Sequence, residues 1–233
     1  MMVLNIEIQV IKKNIKNMNL SVLPPAGTVR ISAPLNTSDE YIRQFALSKI
    51  VWIKKQIEKI ENQPRLLEHE YVSGESHYLW GRRYRLELRY SNMANSVELR
   101  GNNLILTVRD KSTQKQREKV INEWYRGELK NRIPSLLQKW EPIIGVKANS
   151  WGIKNMKTRW GSCNIKDKRI WINLKLAKTS VNCLEYVVVH ELVHLLEKNH
   201  TPAFIGYMDK FLPDWRVTKD ELNSFIMDQY VDE

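Results

Sequence analysis

Cysteine is nearly absent from this chain: 233 residues hold two, Cys163 and Cys183. They have no C-x-x-C spacing, which excludes a disulfide framework and a cysteine-built zinc knuckle and points to reduced thiols. Acidic residues are also scarce, 26 Asp and Glu against 37 Lys and Arg, for a net charge of +11. No apolar run is long enough to span a bilayer. The opening Met1-Met2-Val3-Leu4-Asn5-Ile6-Glu7 has neither a basic leader nor a signal-like apolar core, so no membrane association is expected and the expected compartment is cytoplasmic. Internal repeats and low-complexity linkers are not visible. Nor is any familiar nucleic-acid motif, and the aromatic residues do not interleave with basic ones as a stacking platform would.

What remains is an ordinary globular composition, 42% hydrophobic and 27% charged. The charge is not spread evenly. From Lys147 to Lys178 nine basic residues (Lys147, Lys154, Lys157, Arg159, Lys166, Lys168, Arg169, Lys175 and Lys178) face one acid, Asp167, so this segment alone carries +8. Such a stretch either attracts acidic peptides, nucleotides or nucleic acid, or is a solvated basic surface with no dedicated ligand.

The pattern of apolar residues predicts an α+β protein. Strands are expected over residues 4–11, 19–22 and 28–32, the last two joined by Pro24-Pro25-Ala26-Gly27. Ser38 or Thr37 caps one helix carrying Ile42, Phe45, Ile50, Ile53, Ile57 and Ile60, with Pro64 beyond its end. Further strands are read at 78–90, 96–100 and 104–108, with Gly101-Asn102-Asn103 as a hairpin turn. Residues 115–140 form a long helix that tolerates Pro134 or kinks at it. Short strands follow at 146–151, 157–160 and 169–174, then helices over 181–197, 201–211 and 214–229. The composition shift near Lys111 places a β-rich N-terminal domain at 1–110 and a second domain at 111–233. No oligomeric state follows from the sequence.

The chemistry concentrates in Val187-Val188-Val189-His190-Glu191-Leu192-Val193-His194-Leu195. On a helix, His190 and His194 lie one turn apart on one face, about 6 Å along the axis, and can share one ion. Glu191 sits about 100° round, badly placed as a ligand but able to reach a water on the metal. Apolar residues fill the other faces, so the helix is expected to be sheathed in protein. Buried imidazoles and a carboxylate then need partners, which a metal supplies together; a hydrogen-bonded histidine pair is the bland alternative. Histidine ligands favour zinc. A third ligand is His200, if the chain turns at Asn199, or Glu197, if the helix continues. Lys157 and Arg159 are candidate donors to a developing oxyanion, Arg159 as a catalytic residue or as a bridge between carboxylates. Trp160 reads as a core aromatic, Gly161-Ser162 as a tight turn, Cys163 as a structural thiol, and Asn173 as a partner of an adjacent loop.

The series Met156-Lys157-Thr158-Arg159-Trp160-Gly161-Ser162-Cys163, Ile172-Asn173-Leu174, the His190 to His194 helix and Asn199-His200 resembles the YgjP-like metallopeptidases, a zincin-type, SprT-related family. Ile50-Val51-Trp52-Ile53, Tyr78-Leu79-Trp80-Gly81-Arg82-Arg83-Tyr84 and Trp124-Tyr125 extend the resemblance over almost the whole chain. It departs slightly at Lys198, where a proline is common. The resemblance implies a minimal zincin core, with a small sheet and an active-site helix, appended to the β-rich domain. It further implies zinc held by His190, His194 and His200, with Glu191 as general base. Members of that family are also assigned nucleoside triphosphate pyrophosphatase activity on uridine nucleotides.

Three functions therefore stand. One is a zinc peptidase acting on extended polypeptide laid along an edge strand near Arg169 to Leu174. Another is a UTP pyrophosphatase, which the +8 segment suits. The third is a basic nucleic-acid-binding module with structural zinc, against which the chain offers three obvious ligands rather than four.

Overall fold

The computed structural model describes residues 1–23, 27–61 and 69–228. The chain divides into two compact units at Leu67/Glu68. In the first unit, β1 (Met2–Val3), β2 (Ile6–Lys13), β3 (Asn19–Leu23) and β4 (Thr28–Pro34) form a sheet in the order β1-β2-β4-β3. Leu4, expected to lie within the first strand, instead turns with Asn5 at positive φ (44° and 63°) and closes the β1–β2 hairpin. Two helices accompany the sheet, α1 (Asp39–Ser48), capped by the Ser38 side chain, and α2 (Ile50–Glu61). The single helix expected here breaks at Lys49, the C-cap of α1. Ile8, Val29, Ile31, Ala33, Ile42, Ala46 and Ile53 make the core. The expected turn at Pro24-Pro25-Ala26 and the stop at Pro64 lie outside the described residues.

The second unit opens with a sheet of the same strand order, β5-β6-β8-β7: β5 (Ser76–Leu79), β6 (Arg82–Tyr90), β7 (Ser96–Arg100) and β8 (Asn103–Val108). The directions match as well. In each sheet the first pair is antiparallel, the middle pair parallel and the last antiparallel. Even the first turn is alike, since Trp80 and Gly81 both take positive φ (52° and 79°). The 78–90 stretch, expected as one strand, is thus a hairpin. The architectural repeat leaves a short trace in residue identity, since Asn17-Met18 before β3 and Ser21-Val22 within it recur as Asn92-Met93 before β7 and Ser96-Val97 within it.

Helix α3 (Gln114–Ile144) follows, opened by a capping box between Thr113 and Gln116 and closed by Gly145 at φ 78°. Ile121, Tyr125, Leu129, Ile133, Leu137, Trp140 and Ile144 recur every three or four residues and are all buried. Pro134 sits on the exposed side and the helix runs through it. The buried stripe shares one core with Leu79, Tyr84, Leu86, Leu104, Leu106 and Val108 of the preceding strands. This is why the expected boundary near Lys111 falls inside a unit: α3 packs against β7 and β8 of the preceding sheet. The composition shift there marks a change of element.

A second, three-stranded sheet has the order β10-β11-β9, built from β9 (Ser150–Lys154), β10 (Gly161–Asn164) and β11 (Arg169–Asn173). Residues 157–160, expected as a strand, form an irregular loop before β10. β11, expected at an edge, is the central strand and pairs on both sides. A short 3-10 helix (Leu174–Lys178) leads into α4 (Val181–Val193), α5 (Pro202–Phe211) and α6 (Trp215–Asp228). Among the described residues, no helix is long and apolar enough to cross a membrane. Helices and small sheets together make this an α+β chain.

Candidate metal centre

α4 begins where Ser180 accepts from the Cys183 amide, and it buries Leu184, Tyr186, Val187, Val188, Val189, Leu192 and Val193. Towards its C-terminal end the side carrying His190 and His194 is left partly open. The helix stops at His194, its C-cap, rather than running on to Glu197. That ending decides the third residue of the cluster. Glu197 turns away, its Oε1 accepting from the Asn199 amide at 3.2 Å, while its carbonyl accepts from His194 Nδ1 at 3.2 Å. The chain then doubles back, Thr201 caps α5 by accepting from the Phe204 amide, and His200 is carried over α4.

One ring nitrogen from each of His190, His194 and His200 falls within 4.8 Å of the others. His200 Nε2 stands 3.0 Å from His190 Nε2. Ligands of a tetrahedral zinc at bond lengths of 2.0–2.1 Å are separated by about 3.3 Å, so the spacing suits an ion among them. The proton positions agree. His194 donates through Nδ1 to the Glu197 carbonyl, which leaves Nε2 with a free lone pair and fixes the ring. His190 Nδ1 is buried with no hydrogen-bond partner among the described residues. Burial, and then the neighbouring imidazoles, push His190 down to about 3; burial also lowers His194. Both rings are therefore neutral near pH 7, the form that ligates. Phe204, 3% exposed, packs its ring 4.7–4.9 Å from all three imidazole centroids and makes the floor of the cluster. Tyr186 meets His190 edge-on and stacks on Trp215 at 6.2 Å.

Glu191 lies against β10. Its side chain is 4% exposed, and Oε2 has no hydrogen-bond partner among the described residues. Burial pushes its carboxyl up to about 8, opposed by the charge of Arg159. A cation beside it would pull this value back down. Gly161 makes room for it: a Cβ there would lie 2.5 Å from Glu191 Oε1 and 2.8 Å from Cγ. The glycine expected to serve a tight turn is instead a β10 residue paired with Ile172, glycine because a carboxylate presses on it. Cys163, two residues along the same strand, is pushed up to about 11 by burial and then by Glu191. Both cysteines are free thiols.

Arg159 reaches Glu191 through its field from the 157–160 loop, not from a strand; it and Lys157 are exposed. Asn173 holds that loop in place. Its Nδ2 donates to the carbonyls of Met156 (2.9 Å) and Arg159 (2.6 Å), and its backbone amide donates to Trp160 O at 2.9 Å. The structure thus gathers His190, His194 and His200 into one cluster, sets Arg159 near Glu191, and leaves Glu197 as part of a turn. Sequence reasoning missed Phe204 and the close approach of Gly161. Phe204 was within reach, since the Thr201-Pro202 helix start places it one turn into α5.

A family model described as YgjP-like, metallopeptidase domain, matches residues 16–225. No curated protein matches the chain. Among solved structures, the metallopeptidase zymogen of Pyrococcus abyssi abylysin is similar at 20% identity and a TM-score of 0.37, covering 40% of this chain and 92% of that one.

Proposed function

Because the chain belongs to the YgjP-like metallopeptidase family, whose chemistry implies a divalent metal and hydrolysis, we propose that it is a zinc-dependent peptidase with Glu191 as its general base. The observation that carries this reading is the convergence of three imidazoles, with a buried carboxylate carrying an unpartnered oxygen next to the first of them in sequence. His190, His194 and His200 would hold the ion, and the exposed side at His200 leaves a coordination position open. When bound, the ion acts as a Lewis acid that acidifies water and polarises a carbonyl.

Glu191 takes a proton from the attacking water and returns it to the leaving amine. Its apolar surroundings keep the carboxyl's proton affinity close to neutral pH, where both transfers are efficient. Asn173 fixes the loop carrying Arg159, whose guanidinium steadies negative charge on Glu191 and on the reacting oxygen. Substrate in extended form would pair with β10, an edge strand of its sheet, and so pass Gly161 and Glu191.

Hydrolysis of a phosphoanhydride is the second reading, favoured by the exposed Lys157 and Arg159 on one loop. Of the remaining basic segment, Lys154 lies over the Trp171 ring at 3.7 Å and Lys178 over Tyr125 at 5.4 Å, so both are engaged with aromatic rings. The test is turnover of unfolded polypeptide and of nucleoside triphosphates by the zinc-loaded protein and by Glu191→Ala. Peptide cleavage lost in the variant is expected. Release of pyrophosphate lost in the variant, without peptide cleavage, would replace the peptidase reading with the second one.

A further inference from the structure

A second group of ligand-type side chains lies in the second unit, apart from the centre above. His69 Nδ1 is 3.2 Å from Glu75 Oε2, and His77 Nε2 is 3.5 Å from the same oxygen. One donor atom from each residue falls within 4.8 Å of the others. His77 is 1% exposed, and neither of its ring nitrogens meets hydrogen-bond geometry with any described residue. A buried imidazole left in that state is costly.

Glu75 is anchored independently. It accepts from the Glu70 amide at 2.9 Å and the Tyr71 amide at 3.1 Å, and its carbonyl accepts from Leu86 of β6 at 2.7 Å. His77 stands on β5, opposite Tyr84. His69 stacks on His77 with centroids 4.6 Å apart. The three groups are thus held by a strand and a pinned loop before any ion arrives.

We propose that His69, Glu75 and His77 form a second, structural site for a divalent transition ion, zinc being the best fit. Separations of 3.2 and 3.5 Å bracket the roughly 3.3 Å expected between ligands of a tetrahedral zinc. Two imidazoles and a carboxylate are a zinc-type donor set, and the partly exposed His69 side admits water as the fourth ligand. Such an ion clamps residues 69–75 onto the β5–β6 hairpin. The turn of that hairpin, Trp80-Gly81, donates to the carbonyls of Ala177 and Lys178 at 2.9 and 3.2 Å, just ahead of the α4 cap. The second ion therefore stiffens the support of α4 rather than touching substrate. Lys178 opposes it: the same positive charge that disfavours protonation of His69 and His77 disfavours a metal cation.

The test is calorimetric titration of zinc ion into the chelator-stripped full chain. Wild type is expected to take two equivalents, His190→Ala/His194→Ala one, and His69→Ala/Glu75→Gln also one, while Lys178→Met tightens the site that survives in the His190/His194 variant. Should the His69/Glu75 variant misfold, cobalt added to the His190/His194 variant reads the same site alone, and a tetrahedral visible band is expected. A single equivalent in wild type, two equivalents in the His69/Glu75 variant, or no cobalt band overturns the proposal. The proposed peptidase fails separately, through loss of the equivalent assigned to His190 and His194.

Discussion

Gly161→Ala is the sharpest test of how the site is assembled. The new methyl would sit 2.5 Å from Glu191 Oε1, 2.8 Å from Cγ and 2.9 Å from Cδ. Ordinary carbon contact begins near 3.5 Å, so Glu191 or β10 must move by about 1 Å. Neither moves freely. β10 is paired with β11 from Gly161 to Asn164, and Glu191 stands in the last turn of α4 among buried Val188, Val189 and Leu192. Overpacking of this kind costs about 1–3 kcal/mol, which lowers Tm by about 3–10 °C in a unit of this size. Misplacing a catalytic group by about 1 Å costs about 100-fold in rate. Metal content should not change, because the nearest atoms an added Cβ meets all belong to Glu191 and none to a histidine of the cluster. The assay is kcat for metal-dependent turnover, with metal content and Tm measured on the same preparation. Ser162→Ala, whose side chain lies on the opposite face of β10, is the control and should leave kcat within about twofold. Wild-type kcat and Tm in Gly161→Ala would refute the claim that Glu191 is seated against this strand.

The other perturbations separate the roles of neighbouring groups. Glu191→Gln should cut turnover by at least about 100-fold with metal retained. In the metal-free protein the native carboxyl titrates near 8 against an unfolded value of 4.5, so it holds its proton more tightly when folded. Its contribution to stability is full below pH 4.5 and lost as pH rises through 8; the Gln variant should flatten that slope in chemical denaturation. His200→Ala should weaken metal affinity at least about tenfold, whereas Glu197→Ala, which removes a turn partner, should not; competition with a chelator distinguishes them. Asn173→Ala strips donors from the Met156 and Arg159 carbonyls and should destabilise the protein by about 2 kcal/mol, lowering kcat more than metal content. Lys178, pushed down to about 8 from 10.5 by burial, costs stability in full below pH 8 and progressively less towards 10.5. Lys178→Met should therefore stabilise the protein by up to about 3 kcal/mol at pH 7, with the gain fading above pH 8 in thermal melts.

What could be read from the sequence is what repeats along one element. His190 and His194 at i and i+4, the four-residue recurrence from Ile121 to Ile144, and Gly101-Asn102 between two apolar runs each declare themselves within a few residues, because one local geometry generates the spacing. Features set by contact between distant segments stayed hidden. Gly161 reads as a turn glycine until Glu191, thirty residues later, is seen against it. Ile50 and Ile53 prolong the spacing of α1 so smoothly that nothing local betrays the break at Lys49. Trp80 at positive φ is a turn residue only because Gly81 follows it and the Ala177 and Lys178 carbonyls receive the turn's amides. The two sheets share strand order, direction and first turn while sharing few residues beyond the Asn-Met and Ser-Val pairs at β3 and β7, since a sheet needs only alternation and tight turns, which many sequences supply. His69, Glu75 and His77 lie six and two residues apart, a spacing of no helix face. Only the pinning of Glu75 by Glu70, Tyr71 and Leu86 brings their donor atoms together. A ligand set written on a single helix can be found by counting, while one assembled from a loop and a strand exists only once the loop is folded.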